Sequence, residues 1–286
     1  MHGAGTMTII SGGAMRTRLR RFLTVLLAAC LPLAAPAAPA GHWAHVNGHR
    51  LYYESHGGGR ALLLLHGGGA TPASSFGKQL AAFAHAHRVI APEQTGHGHS
   101  PDLPGPLSYT QMTEDTAALL KLLHVKHVDI VGFSDGGIVA LMLAVRHPEL
   151  VRRVVVSGAN IAPDGLEDDE LARTRAALTA LHRPERPVLL PSGAAAHGPS
   201  VEEKLGHLWL ESPTREQLNP ALLAGVHNPV LVMAGERDLI KRDHTLEIVH
   251  ALPAGRLYIV PDASHGTFEE QPERVNSVVL AFLDSP

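Results

Sequence analysis

Residues 128–137, Val-Asp-Ile-Val-Gly-Phe-Ser-Asp-Gly-Gly, constrain this chain more tightly than any other segment. The β-branched apolar run Val128, Ile130, Val131 predicts a strand. Gly132 to Gly136 predicts a sharp turn, and Ile138 to Arg146 a helix that starts with no spacer. So abrupt a reversal strains the apex residue and brings strand and helix close together, so small residues are needed two positions to either side. Gly132 and Gly136 stand there, with Ser134 at the apex. A serine in this setting is the nucleophile-elbow pattern, its hydroxyl exposed at the end of a sheet. The five-residue string arises by chance in many sequences; the strand before it and the helix after it make Ser134 a candidate nucleophile.

The rest of the chain alternates strand and helix around this segment, which predicts an α/β fold with a largely parallel sheet and helices on both faces. An opening hairpin is expected over residues 43–54, turning at Asn47-Gly48. The apolar run 61–65 reads as a strand buried on both faces. Further strands are expected over 88–91, 154–156, 230–233 and 256–260. Helices are expected over 76–86, 109–123 (with Thr110 or Thr113 as cap), 244–251 and 273–283. Residues 161–226 break the rhythm with an acidic start (Glu167, Asp168, Asp169, Glu170), helices over 172–181 and 202–210, and a Pro/Gly/Ala-rich stretch over 184–199. That interruption reads as an insertion into one domain, with residues 41–160 and 227–286 forming the core. The acidic run reads as a solvated helix start favoured by the helix dipole.

Serine attacks a carbonyl only when a base takes its proton and an acid orients that base. In a parallel sheet these groups belong in loops beyond the strands' carboxyl ends, in the chain order Ser, acid, His. Asp238 follows the strand at 230–233, and His265 follows the strand at 256–260. Glu236 and Asp243 compete with Asp238 as the acid, and Asp262 reads as a turn residue. An oxyanion needs preorganised N–H donors. The loop His66-Gly67-Gly68-Gly69, after the strand at 61–65, supplies one at Gly68, with Gly69 the alternative; the N–H of Asp135, next to Ser134, supplies the other. Gly67, Gly69 and Phe133 are expected to meet the substrate. The glycine loop lacks a Gly-Lys-Ser/Thr ending and a spaced Gly-x-Gly-x-x-Gly, so a nucleotide site is not expected. The His-x-His pairs His85/His87 and His97/His99 lack a neighbouring His-Asp pair that would complete a binuclear metal site, and read as loop and helix-surface residues, with a place in the pocket wall the alternative for His97 or His99. No metal and no cofactor is expected.

These landmarks in this order resemble the α/β-hydrolase superfamily, serine-hydrolase branch, over residues 41–286. His66 to Gly69, Gly96-His97-Gly98-His99-Ser100, Gly132 to Gly136, Gly235 to Asp238 and His265 carry the likeness. It implies a mostly parallel eight-stranded sheet flanked by helices, with a small cap from residues 161–226. Glu93 departs from the pattern, where many relatives carry Asp. The string Gly-Phe-Ser-Asp-Gly-Gly is similar to the elbow of biphenyl-hydrolase-like, valacyclovir-hydrolase-type esterases. The Asp135 carboxylate there would either attract a cationic substrate group or be satisfied by backbone groups at the helix start. The phase of the glycines excludes Asp135 as the apex, which weakens epoxide-hydrolase and dehalogenase readings.

The expected activity is therefore cleavage of small carboxylic esters by Ser134, His265 and Asp238 through an acyl-enzyme. Lactone, thioester, amide and C–C bond hydrolysis use the same residues and remain alternatives, as does a non-catalytic binding protein. The formal net charge of -3, the lack of a basic stripe and an aromatic content of 4% argue against a nucleic-acid partner. Arg16, Arg18, Arg20 and Arg21, then an apolar run over 22–33 and an Ala/Pro tail to Ala40, predict an export signal over residues 1–40, with Met15 an alternative start. Pro32, Pro36 and Pro39 argue against a spanning helix there. Leu27-Ala28-Ala29-Cys30 also resembles a lipobox, which would anchor the protein through Cys30. The remainder after Ala40 carries 20 Lys and Arg against 27 Asp and Glu, and no cysteine.

Overall fold

The computed structural model describes residues 40–181, 199–212 and 214–285. The expected signal segment, Met15 and Cys30 lie outside the described residues, as does most of the 184–199 stretch. Strands β1 (Ala40–Val46), β2 (His49–His56), β3 (Arg60–Leu65), β4 (His87–Pro92), β5 (Val128–Phe133), β6 (Val151–Ser157), β7 (Val230–Gly235) and β8 (Gly255–Val260) form one sheet in the order β1-β2-β4-β3-β5-β6-β7-β8. The β1/β2 and β2/β4 pairs are antiparallel and the others parallel, giving the mostly parallel eight-stranded sheet expected. Helices α1 (Pro72–Phe76) and α2 (Leu80–Ala84) connect β3 to β4, and α3 (Tyr109–Leu122) leads to β5. Next, α4 (Asp135–Arg146) joins β5 to β6, and α5 (Asp168–Leu181), α6 (Val201–Glu211), α7 (Thr214–Gln217) and α8 (Pro220–Leu223) lie between β6 and β7. The chain closes with α9 (Arg242–Ala251) before β8, then α10 (Thr267–Glu270) and α11 (Pro272–Asp284).

Side chains alternate across a strand, so a central parallel strand is apolar at most positions; the exception in β5, Asp129, is buried against Arg60 and Arg152. In β3, Leu63 and Leu65 enter the core beneath α3, α4 and α9 with Ile130, Val154 and Val232. Leu62 and Leu64 enter the opposite core with Val131, Val155 and Met233, covered by Phe76, Phe83, Phe268 and the Val275/Val279/Leu283 face of α11. Each fully buried Leu or Phe contributes about 1.5–3 kcal/mol through removal of its apolar surface from water. From the interrupting segment, Leu218, Leu223 and Val226 also join the first core.

Local chemistry sets the element ends, and two of the departures from expectation have a visible local cause. The helix expected over 76–86 is two short helices: Thr71 and Ser74 form a capping box with Pro72 in the first turn, so the first helix starts early and ends at Gly77. Helix α3 is capped by Ser108, which accepts from the Gln111 N–H, while Thr113 instead donates back to the Tyr109 carbonyl at 2.7 Å. The hairpin turns where expected, with Asn47 and Gly48 at φ 46° and 90°. Because β3, β5, β7 and β8 run parallel, the residues after Leu65, Phe133, Gly235 and Val260 emerge at one edge of the sheet.

Leu64→Ala should lower stability by about 2–5 kcal/mol, since it opens a cavity inside a sheet covered on both faces. Urea unfolding checks this; a loss below about 1 kcal/mol would mean that the core collapses around the gap.

Candidate active site

Ser134 sits at φ 51° and ψ -118°, outside the regions a serine favours, at an order-of-magnitude cost of 1–3 kcal/mol. Its backbone is held on both sides: its N–H donates to the Ser157 carbonyl at 2.8 Å, and its own carbonyl accepts from Gly137 at 2.8 Å and Ile138 at 3.2 Å. The flanking glycines are required by contact. A Cβ on Gly132 would stand 2.3 Å from the Gly136 carbonyl oxygen, and one on Gly136 would stand 2.0 Å from the Leu65 carbonyl oxygen. No neighbour can yield there, because every offending atom is backbone of a core element.

His265 stands in the loop after β8, as the sequence predicts, and its Nδ1 lies 2.7 Å from Asp238 Oδ1. The carboxylate accepts further hydrogen bonds from the Gly235 and Ile240 amides at 3.0 and 3.1 Å. Those contacts separate Asp238 from its rivals, since Glu236 accepts the Asp262 amide at 3.0 Å and Asp243 lies in the first turn of α9. Burial works against the charge on Asp238, but the His265 hydrogen bond and charge and the two amides outweigh it and hold the carboxyl below its usual range. The two loops are tied together: Arg237 donates its amide to the Ala263 carbonyl at 2.9 Å, and Glu236 accepts the Asp262 amide; within the His265 loop, Glu270 accepts the Ser264 amide at 2.8 Å. The imidazole lies against Gly158, where a Cβ would stand 2.5 Å from its Cε1, and 5.1 Å from the Phe133 ring centroid. Gly158 carries no sequence signal, because its role appears only when β6 is placed beside β8's loop.

Ser134, His265, Gly68 and Asp135 line one cavity of about 220 Å³, closed on the far side by Leu208 and Trp209 of α6. The backbone donors around it can be counted. Gly67 donates to Ser75 Oγ at 3.3 Å, Gly69 to His97 Nε2 at 3.0 Å, and Ala70 to the Gly67 carbonyl at 3.2 Å. Gly68 N–H has no partner among the described residues. Gly67, Gly69 and Phe133, expected at the substrate, do not line this cavity. Gly67 backs onto Phe133 and Ser134, Gly69 faces an apolar groove between α5 and α6, and the Phe133 ring packs on Phe268.

Asp135 is buried, but not satisfied by helix-start backbone. Its Oδ1 accepts from the Tyr109 hydroxyl and its Oδ2 from the Trp209 indole N–H, each at 2.9 Å. Burial raises its pKa, opposed by those two hydrogen bonds. Burial and the neighbouring Asp135 charge also push the Tyr109 hydroxyl well above its usual range. Tyr109 and Trp209 escaped the sequence reading; the available signal was that Trp209 is one of only two tryptophans. The histidine pairs also differ from expectation. His87 is buried within β4 and His97 beneath the glycine loop, whereas His85 is exposed and His99 stacks on Tyr52 at 4.3 Å. Among the described residues no cluster of three or more His, Cys, Asp or Glu is placed to hold a metal ion. Glu93 serves the turn itself, accepting the His99 amide while its backbone carbonyl accepts the Ser100 hydroxyl at 2.7 Å.

A strained serine at the carboxyl edge of this sheet order, facing a histidine and a capping helix, defines a class. Residues 62–278 match the alpha/beta hydrolase family, and the chain belongs to it. It is an enzyme of that class, and the likeness to biphenyl-hydrolase-like proteins holds: serine hydrolase BPHL of Homo sapiens is 29% identical, over 97% of this chain and 100% of the relative. The 2-hydroxymuconate semialdehyde hydrolase of Pseudomonas putida is 30% identical, over 82% of this chain and 91% of its own. Among solved structures, a hydrolase from Pseudomonas aeruginosa superposes with a TM-score of 0.67 at 25% identity, covering 87% of this chain and 100% of that one.

A carboxyl with a depressed folded-state pKa adds stability that is present above its unfolded-state value and lost as the pH falls through the folded value. Asp238→Asn should therefore be less stable than the natural protein at neutral pH, with the difference shrinking as the pH falls below about 4. Urea midpoints across that range measure it; a difference independent of pH would contradict the assignment.

Proposed function

We propose that the protein hydrolyses small carboxylic esters through an acyl-enzyme formed on Ser134. The observation that carries this reading is the cavity that Ser134 and His265 share, with Asp238 2.7 Å behind the imidazole. With Nδ1 committed to Asp238, Nε2 is the nitrogen free to take a proton. His265 accepts the Ser134 proton as the oxygen attacks the carbonyl carbon, and Asp238 stabilises the imidazolium. The oxyanion is bound by the unpartnered Gly68 N–H and by the N–H of Asp135, an amide in the first turn of α4, which an α-helix leaves without an internal acceptor. Collapse breaks the ester C–O bond, and His265 gives its proton to the leaving alkoxide. Water, deprotonated by His265, then attacks the acyl-enzyme, releasing the acid and restoring Ser134. Helices α5 and α6 act as the cap over this cavity.

The matched relatives include a serine hydrolase and a semialdehyde hydrolase, so the substrate screen should include C–C bond substrates beside esters, thioesters and lactones. A finer reading concerns Asp135. Tyr109 and Trp209 orient its carboxylate at the cavity wall and leave lone pairs for a cationic substrate group. On this reading an aminoacyl ester has a higher kcat/KM than its uncharged isostere, and Asp135→Asn removes the difference; equal values in the natural protein would discard it. We further propose export, on the arginine, apolar and Ala/Pro pattern of residues 1–40.

Ser134→Ala should lose at least about 10⁴-fold in kcat on p-nitrophenyl acetate and lose labelling by a fluorophosphonate. Absence of turnover on every ester, thioester and lactone tried, together with no labelling of Ser134 in the natural protein, would sink the proposal.

A further inference from the structure

We infer that His97 and His66 form a reciprocal clamp, held in one neutral tautomer, and that His97 is a positioning residue for the Gly68 oxyanion donor; the catalytic part rests on the reading of Gly68 proposed above. Each histidine reaches across to the other's loop. His66 Nε2 accepts the Gln94 amide at 2.9 Å, while His97 Nε2 accepts the Gly69 amide at 3.0 Å. Each then returns a bond to its own loop: His66 Nδ1 lies 2.8 Å from the Gly67 carbonyl and His97 Nδ1 3.1 Å from the Thr95 carbonyl. A backbone amide can only donate and a carbonyl can only accept, so both rings must carry their proton on Nδ1 and none on Nε2. A protonated ring would face an amide with a second N–H and lose the bond.

Burial reinforces this state. His66 and His97 are 1% and 5% exposed, with ring centroids 5.0 Å apart. Burial, then the neighbouring His97, lowers the His66 pKa to about 3, so this ring is neutral at neutral pH. The clamp also explains which glycine donor is left free. Gly67, Gly69 and Ala70 all have acceptors, and the Gly67 carbonyl takes both His66 and Ala70. Were the Gly69 amide to lose His97, an unpaired donor beside a buried loop would seek another acceptor, and the loop is short enough that Gly68 would turn with it. His97 therefore holds the direction of the Gly68 N–H without touching the substrate cavity, whose lining it does not join.

The test uses the full-length enzyme with two variants. His97→Phe keeps a ring and removes both polar atoms; His97→Gln keeps an acceptor and a donor on one side chain. His97→Phe should lower kcat on p-nitrophenyl acetate at least about tenfold, short of the ~100-fold or more seen when an oxyanion donor is removed outright. It should leave KM unchanged and weaken a trifluoromethyl ketone, which forms a tetrahedral adduct, by the same factor as kcat. His97→Gln should recover most of both. Unchanged kcat and ketone affinity in His97→Phe would overturn the positioning role, as would losses that track a fall in Tm and are shared by His97→Gln. Turnover and Ser134 labelling in the natural enzyme test the parent reading separately. The clamp is also read without activity, in long-range ¹⁵N–¹H spectra at neutral pH: two Nδ1–H neutral rings are expected, and a protonated or Nε2–H His97 would refute it.

Discussion

The contact on which this structure depends is between backbones, where the elbow of β5 and α4 presses against the end of β3. At Gly136 the main chain lies so close to the Leu65 carbonyl that a single methyl group would stand 2.0 Å from it. That approach forces Ser134 into φ 51°, and packing of α4 under the sheet, with Ile138 to Leu143 buried, holds it there. A strained residue persists only where its surroundings over-determine it. Here the surroundings are the hydrogen bond from Ser134 N–H to the Ser157 carbonyl and the apolar core on both faces of the sheet. The serine's position is thus a consequence of sheet packing, and the remaining site residues are built around it.

Polar ties then set the loops that the sheet merely brings near one another. Asp238 and His265 come from loops separated by α9 and β8, joined through Arg237, Glu236 and the carboxylate–imidazole bond. On the other side, the glycine loop and the loop after β4 are joined by His66 and His97. Helix α6 is tied down twice, by Trp209 to Asp135 and by the buried Lys204 to Asp102 at 2.7 Å. Removing Trp209 would leave the buried Asp135 carboxylate one donor short, and removing Asp102 would take the acceptor from the buried Lys204 ammonium. The cavity is therefore closed by directional bonds around an apolar scaffold.

How much of this could be read in advance varied with how local the cause was. The strands at 61–65 and 230–233 were legible because a strand buried on both faces is apolar along its length, a pattern carried by the chain itself; 128–133 was legible from its β-branched residues despite Asp129, which is buried against Arg60 and Arg152. Ser134 and its glycines were legible for the same reason, since strand, turn and helix are contiguous. Helix ends were less so: the capping box at Thr71 and the Ser108 cap depend on which of several hydroxyls meets a free amide. His97 read as a loop residue, or one lining the pocket, because nothing in Gly96 to Ser100 shows that the turn folds beneath another loop.

Within the sequence, periodicity and local sterics determined the fold class, the order of the site's loops, and the candidacy of Ser134, Asp238 and His265. The bond between Asp238 and the His265 ring, the commitment of Gly69 to His97, and the joining of Asp135 to Tyr109 and Trp209 appear only in the tertiary structure. The physical reason is the range of each effect. Apolar alternation and backbone strain act between neighbours in the chain, whereas a hydrogen bond such as Trp209 to Asp135 links residues 74 positions apart and exists only once the sheet has placed them within 2.9 Å.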